Sequence, residues 1–177
     1  LALMRVPHVW RERFPEAMGF RATRAAGIEI RFRSNTRHVE IELTAVNHIN
    51  YRAVMALYHG YRAVGLVSLP QQFSGRVVLF DQQEVVDAEV EGDWRILLPY
   101  GARSVVKALY LSDGAELQAA VPRPVRWLAH GDSITQGARA VSPGMTYVCR
   151  VADLLGWDAL NLGFGGSQAP DDSARTP

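Results

Sequence analysis

Residues 125–137 read VRWLAHGDSITQG: an apolar run that breaks into a histidine, a glycine, a small acid and a serine. Such a run bounded by turn chemistry predicts a buried strand with a loop at its carboxyl end. Downstream, PGMTYVCRVADLLGW (143–157) predicts a helix with Pro143 near its first turn. Tyr147, Val148, Val151, Leu154 and Leu155 form its apolar stripe. DALNLG (158–163) is then a second strand. Strand, helix and strand make a βαβ unit, which crosses over right-handed and leaves its strands parallel. The loops HGDSITQG and GFGGS therefore fall side by side at the carboxyl ends, where open parallel sheets collect functional groups.

Upstream the pattern differs. Eight short runs, at 28–32, 39–43, 53–58, 63–69, 76–80, 94–99, 105–111 and 116–121, have β-type composition. SNT, HG, SG, EGD, YGA and SDG separate them and are turn chemistry. In GIEIRFRS, Ile28, Ile30 and Phe32 alternate with Glu29, Arg31 and Arg33, one face in and one face out. Runs of this number and spacing predict an antiparallel β-sandwich, jelly-roll-like. VPRPVR (121–126) reads as a short stiff linker. The division expected is a β-sandwich accessory domain over 1–121, irregular over about its first 25 residues, and an incomplete α/β unit over 122–177.

At 177 residues, 48% hydrophobic and 21% charged, the chain is of globular composition. A net charge of +1, with Lys107 the only lysine and the arginines scattered, argues against a nucleic-acid or anionic-membrane partner. Cys149, the only cysteine, excludes an intrachain disulfide and a cysteine-rich metal site; within its helix it reads as filler. No run approaches the roughly 18 apolar residues of a membrane span. The first 20 residues carry charges and a proline where a signal peptide would be apolar, which favours a cytoplasmic location.

A serine ending a strand beside glycine-rich backbone suits acyl transfer. The hydroxyl attacks a carbonyl and nearby amides hold the oxyanion. A turn or helix-cap serine is the plain alternative. Three other sites each lack a required residue. A nucleophile elbow needs glycine where Thr135 stands. A phosphate-binding P-loop needs lysine where Ala138 stands, and a dinucleotide fingerprint needs glycine where Gln168 stands.

GDSITQG (131–137) resembles the first block of the GDSL/SGNH hydrolases, and NLGFGG (161–166) resembles their second. The strand-rich region before them resembles bipartite members, among them carbohydrate esterases and acyltransferases. The resemblance implies a flavodoxin-like α/β (SGNH hydrolase) domain beginning here, and a serine esterase or acyltransferase. It makes Ser133 the nucleophile and first oxyanion amide, and Gly166 the second. Asp132 and Asn161 then support the loops. No cofactor or metal is implied. The implied substrate is a small-molecule or carbohydrate ester, acetyl-like on a sugar or polar metabolite. The family also needs a third-block asparagine and a late Asp and His, and neither element is present. The histidines, His8, His38, His48, His59 and His130, all precede Ser133.

The expectation is therefore a truncated catalytic domain, inactive as this chain. A homo-oligomer burying its open sheet edge is a further expectation. The remaining alternatives are a carbohydrate- or partner-binding sandwich with a hydrolase remnant, and a non-catalytic interaction protein. His48 or His59 reaching Ser133 is a minor one. Tyr51, Tyr58 and Tyr61 read as a sugar platform or as sheet packing. Asp171 and Asp172 form a charge pair without further ligands.

Overall fold

The structure, a computed structural model, describes residues 3–47, 53–82 and 92–166. Each upstream run falls on a strand. These are β1 (Glu29–Ser34), β2 (His38–Asn47), β3 (Ala53–His59) and β4 (Arg62–Leu69). β5 (Gln72–Asp81), β6 (Gly92–Leu97), β7 (Ala102–Leu111) and β8 (Leu117–Ala119) follow. They build a five-stranded sheet, β4-β3-β6-β1-β8, and a three-stranded sheet, β5-β2-β7. Every pairing within them is antiparallel.

Alternation is what makes this packing possible. Along β2, Val39, Ile41, Leu43 and Ala45 are buried, while Glu40, Glu42 and Thr44 are not. They share one apolar core with Met55, Leu57, Trp94 and Ile96 of the other sheet. Burying each large side chain contributes about 1.5–3 kcal/mol. Trp94 Nε1 donates to the Ser34 carbonyl at 3.1 Å, so its one polar group is satisfied.

Beyond Pro124, β9 (Arg126–Gly131) and β10 (Asp158–Gly163) pair in parallel, with Gly131 opposite Gly163. Their connection holds a one-turn helix, α3 (Ser133–Gln136), a 3-10 turn (Pro143–Met145) and α4 (Tyr147–Leu155). Pro143 therefore opens the 3-10 turn and not the helix. Thr146 caps α4, its Oγ1 accepting from the Cys149 amide at 3.2 Å, and Gly156 ends it at φ +65°.

The buried face of α4 differs from the expected stripe. Val148 and Ala152 are buried, whereas Leu154 is 77% exposed and Tyr147 and Leu155 are also exposed. Small side chains let the helix approach β3 and β6, where Cys149 packs on Ala56, Tyr58 and Leu97. Ions join the same surfaces. Arg95, 3% exposed, donates from Nη1 to Asp153 at 2.5 Å, and its Nε lies 3.2 Å from Glu29 Oε2. Arg123 Nη2 donates to the same carboxylate at 3.1 Å.

The N-terminal residues are not irregular. They form α1 (His8–Arg11) and α2 (Glu16–Arg21), and Val6, Phe14, Met18 and Ala22 pack on Leu162 and Phe164. Ala25 N also donates to Ala102 O at 2.9 Å, so this segment touches both the antiparallel sheets and β10. That face of the parallel pair is only partly covered by the N-terminal segment. Leu128, His130, Leu160 and Leu162 line an apolar groove of about 600 Å³ beside Trp10.

Candidate active site

Ser133 stands two residues past Gly131, at the start of α3. Asp132 precedes it as N-cap, its Oδ1 accepting from the Ile134 amide at 2.9 Å. Gly137 closes the turn at φ +111°, a conformation that disfavours a side chain. Ser133 is half-buried, and its hydroxyl has no hydrogen-bond partner among the described residues.

The second loop is brought against this turn by missing side chains. A β-carbon on Gly163 would overlap the Gln136 amide nitrogen. One on Gly165 would stand 3.2 Å from Cβ of Ser133. Two buried amides lock the contact. Asn161, 1% exposed, donates from Nδ2 to Thr135 O at 2.7 Å and accepts from Gly163 N at 2.9 Å. Gln136 accepts from Gly165 N at 2.8 Å and donates to Tyr100 O at 3.3 Å.

That arrangement separates the two final glycines. The Gly165 amide is engaged by Gln136. The amides of Ser133 and Gly166 donate no hydrogen bond among the described residues, and Gly166 is exposed at φ +72°. Of the four residues expected at the site, Ser133 and Gly166 thus have unused amides among the described residues, and Asp132 and Asn161 brace the two loops. Such an arrangement can present a hydroxyl and N–H donors to one carbonyl.

Sequence reasoning passed over the arginines behind the second loop. Arg5, 4% exposed, donates to four carbonyls: Arg24 at 3.0 Å, Arg21 at 2.9 Å, Asn161 at 3.1 Å and Gly163 at 2.6 Å. Its guanidinium also lies 4.7 Å from the Phe164 ring centroid. Burial, with Arg24 adding to it, pushes its pKa down to about 10, so it stays charged at neutral pH. No local signal marks a lone arginine for this. Gln136 was in view, as part of GDSITQG, but nothing identified its partner.

No histidine meets Ser133 among the described residues. His8 lies 3.5 Å from Glu12, and His38 lies between Glu40 and Asp81. His59 packs 4.5 Å from Trp94, which removes it as a base for Ser133. His130 lines the open groove. His48, Tyr51, Asp171 and Asp172 lie outside the described residues. Tyr58 and Tyr61 do not form a platform together, because Tyr58 is buried against α4 whereas Tyr61 is 71% exposed. Burial, then Asp153, pushes the Cys149 thiol up to about 12. Among the described residues no cluster could hold a metal ion, and no helix is long and apolar enough to cross a membrane.

No family model and no curated protein matches the chain. Solved structures do. Salicylyl-acyltransferase SsfX3 from a tetracycline biosynthetic pathway matches with a TM-score of 0.80 at 20% identity, over 92% of this chain and 46% of that one. A GDSL-like lipase from Bacteroides ovatus matches with a TM-score of 0.77 at 20% identity, over 93% and 51%. A family two carbohydrate esterase from Clostridium thermocellum matches with a TM-score of 0.61 at 12% identity, over 80% and 46%. The chain thus has a fold related to GDSL/SGNH-like hydrolases and acyltransferases, and spans about half the length of these structures.

Proposed function

We propose that this chain carries the nucleophile and two oxyanion donors of a GDSL/SGNH-type serine esterase or acyltransferase. One observation carries the reading: Ser133 packs on Gly165, and its own amide and that of the adjoining Gly166 have no internal acceptor among the described residues. Ser133 Oγ attacks an ester carbonyl, and its proton passes to a general base from outside the described residues. The C–O bond to the alcohol then breaks, and the alcohol leaves with that proton. The acyl-serine passes its acyl group to water or to an acceptor hydroxyl. The two amides hold the tetrahedral oxyanion.

The architecture proposed with it is bipartite. Residues 1–121 form a β-sandwich accessory domain, with their N-terminal helices docked on β10. The parallel pair β9 and β10 opens a larger α/β layer, whose further elements cover the groove beside Leu128. Leu128 is 59% exposed there, which supports a missing layer. Acyl groups on a sugar or polar metabolite are the proposed substrates. Acyl transfer is the second reading, favoured by the likeness to an acyltransferase.

The test is turnover of 4-nitrophenyl acetate by the full-length gene product. Ser133→Ala is expected to lower kcat at least 1,000-fold, in the range known for a lost nucleophile. A serine-directed fluorophosphonate is expected to label Ser133 in the wild type. Undiminished turnover in the variant would sink the assignment.

A further inference from the structure

Arg21 ends α2, and its carbonyl is held by Arg5. Its guanidinium presents Nη2 to the second loop. A β-carbon on Gly166 would stand 3.0 Å from Nη2, 3.5 Å from Cζ and 4.0 Å from Nε. On the adjoining glycine, Gly165, the corresponding neighbour is Ser133. Arg21 and Ser133 therefore flank one dipeptide, whose Cα atoms are about 3.8 Å apart.

The charge of Arg21 has no counter-charge among the described residues. Among the described residues it has neither an ion pair nor a side-chain hydrogen bond, and it is half-buried. Arg24, buried at 9% exposure, stands close enough to be affected: its pKa is lowered by burial and then by Arg21. Arg24 Nε is itself buried without a partner. Arg5 is a third guanidinium, and its contacts are all with carbonyls and an aromatic ring. Three cations thus gather by one loop, and none of them meets a carboxylate among the described residues. A guanidinium offers a planar fork of donors that fits a carboxylate or phosphate edge on.

We infer that Arg21 is a specificity-determining residue that binds an anionic group, carboxylate or phosphate, on the ester substrate. This rests on the esterase reading for the word substrate, but the anion site itself does not. The anion sits beside Gly166, one residue from the glycine that Ser133 packs on. Arg21 comes from the N-terminal segment, so that segment contributes to substrate choice as well as to packing.

The experiment uses the full-length gene product and two readouts. Binding is followed with succinamate and its neutral counterpart succinamide, by titration and by the Gly166 amide resonance. Turnover is compared for 4-nitrophenyl hemisuccinate, with the anion on the acyl side, and 4-acetoxybenzoate, with it on the alcohol side. 4-Nitrophenyl acetate and phenyl acetate are their neutral references. The wild type is expected to prefer succinamate, and one anionic ester, at least tenfold. Arg21→Gln should cut both preferences at least tenfold, chiefly through KM, and Arg21→Lys should retain part.

Should Arg21→Gln fail to fold, the wild type alone still decides, because the anionic preference must fall with added salt. A wild type without that preference, or a preference untouched by Arg21→Gln, overturns the inference. Arg21-dependent succinamate binding without turnover of any ester would retain the anion site and remove the esterase reading.

Discussion

Gly163 closes β10 directly under the backbone of α3, where a β-carbon would overlap the Gln136 amide nitrogen. Gly163→Ala is therefore expected to cost about 1–3 kcal/mol, as overpacking does. It should also shift Ser133, which urea unfolding and the Ser133 amide resonance would show together. Asn161→Ala leaves Thr135 O and Gly163 N buried without their partner, an expected loss of about 2–3 kcal/mol by the same measurement. Cys149 should resist 5,5′-dithiobis(2-nitrobenzoate) at pH 8. Its thiol is raised to about 12, so the thiolate grows only as pH climbs towards that value. Labelling as fast as in the urea-unfolded chain would contradict its burial. At this scale the turn around Ser133 was legible because its cap Asp132 and its closing Gly137 are local in sequence. Arg5 was not, because the carbonyls it holds on β10 lie 156 and 158 residues away.

Strands were easier to place than the face of a helix. Strict alternation, as in β2, leaves one possible inward set. For α4 the apolar residues cover more than half the circumference, and periodicity alone favoured the larger ones. The partner surface decided otherwise, since Tyr58 and Arg95 leave room only for Val148, Cys149 and Ala152. The two faces should behave oppositely on substitution in this chain. Leu154→Gln is expected to change stability by less than about 0.5 kcal/mol, as exposed sites do. Ala152→Leu is expected to cost about 1–3 kcal/mol. Equal losses in thermal unfolding would mean that α4 is rotated from this position. Its cap is a smaller contribution: Thr146→Ala should cost about 1 kcal/mol.

Across the whole molecule, Arg95 joins the five-stranded sheet to α4, with Asp153 shared by Arg123 from the linker. Burial works against the Arg95 charge, yet the Asp153 hydrogen bond and Glu29 hold its pKa above the ordinary value. Removing one partner leaves the other ion buried, so Arg95→Leu is expected to cost about 3 kcal/mol. A double-mutant cycle with Asp153→Asn should show coupling, and strict additivity would mean that the pair does not join the two parts. VPRPVR read as a linker in the sequence, but nothing there showed that its Arg123 shares Asp153 with Arg95. The ion pairs join residues 30 and 58 apart, a separation no local pattern encodes.

The grip of Arg5 also has a timetable. Residues 161–163 are synthesised long after Arg5 emerges, and domains fold as their chain becomes available. The first helices must wait beside a growing antiparallel core, their apolar side chains uncovered, until β10 arrives. Protease cleavage between α1 and α2 should therefore be rapid on ribosome-bound chains released only to residue 150, and slow once Gly163 is out. The helices around Arg5 are thus made well before β10 and dock only when it arrives.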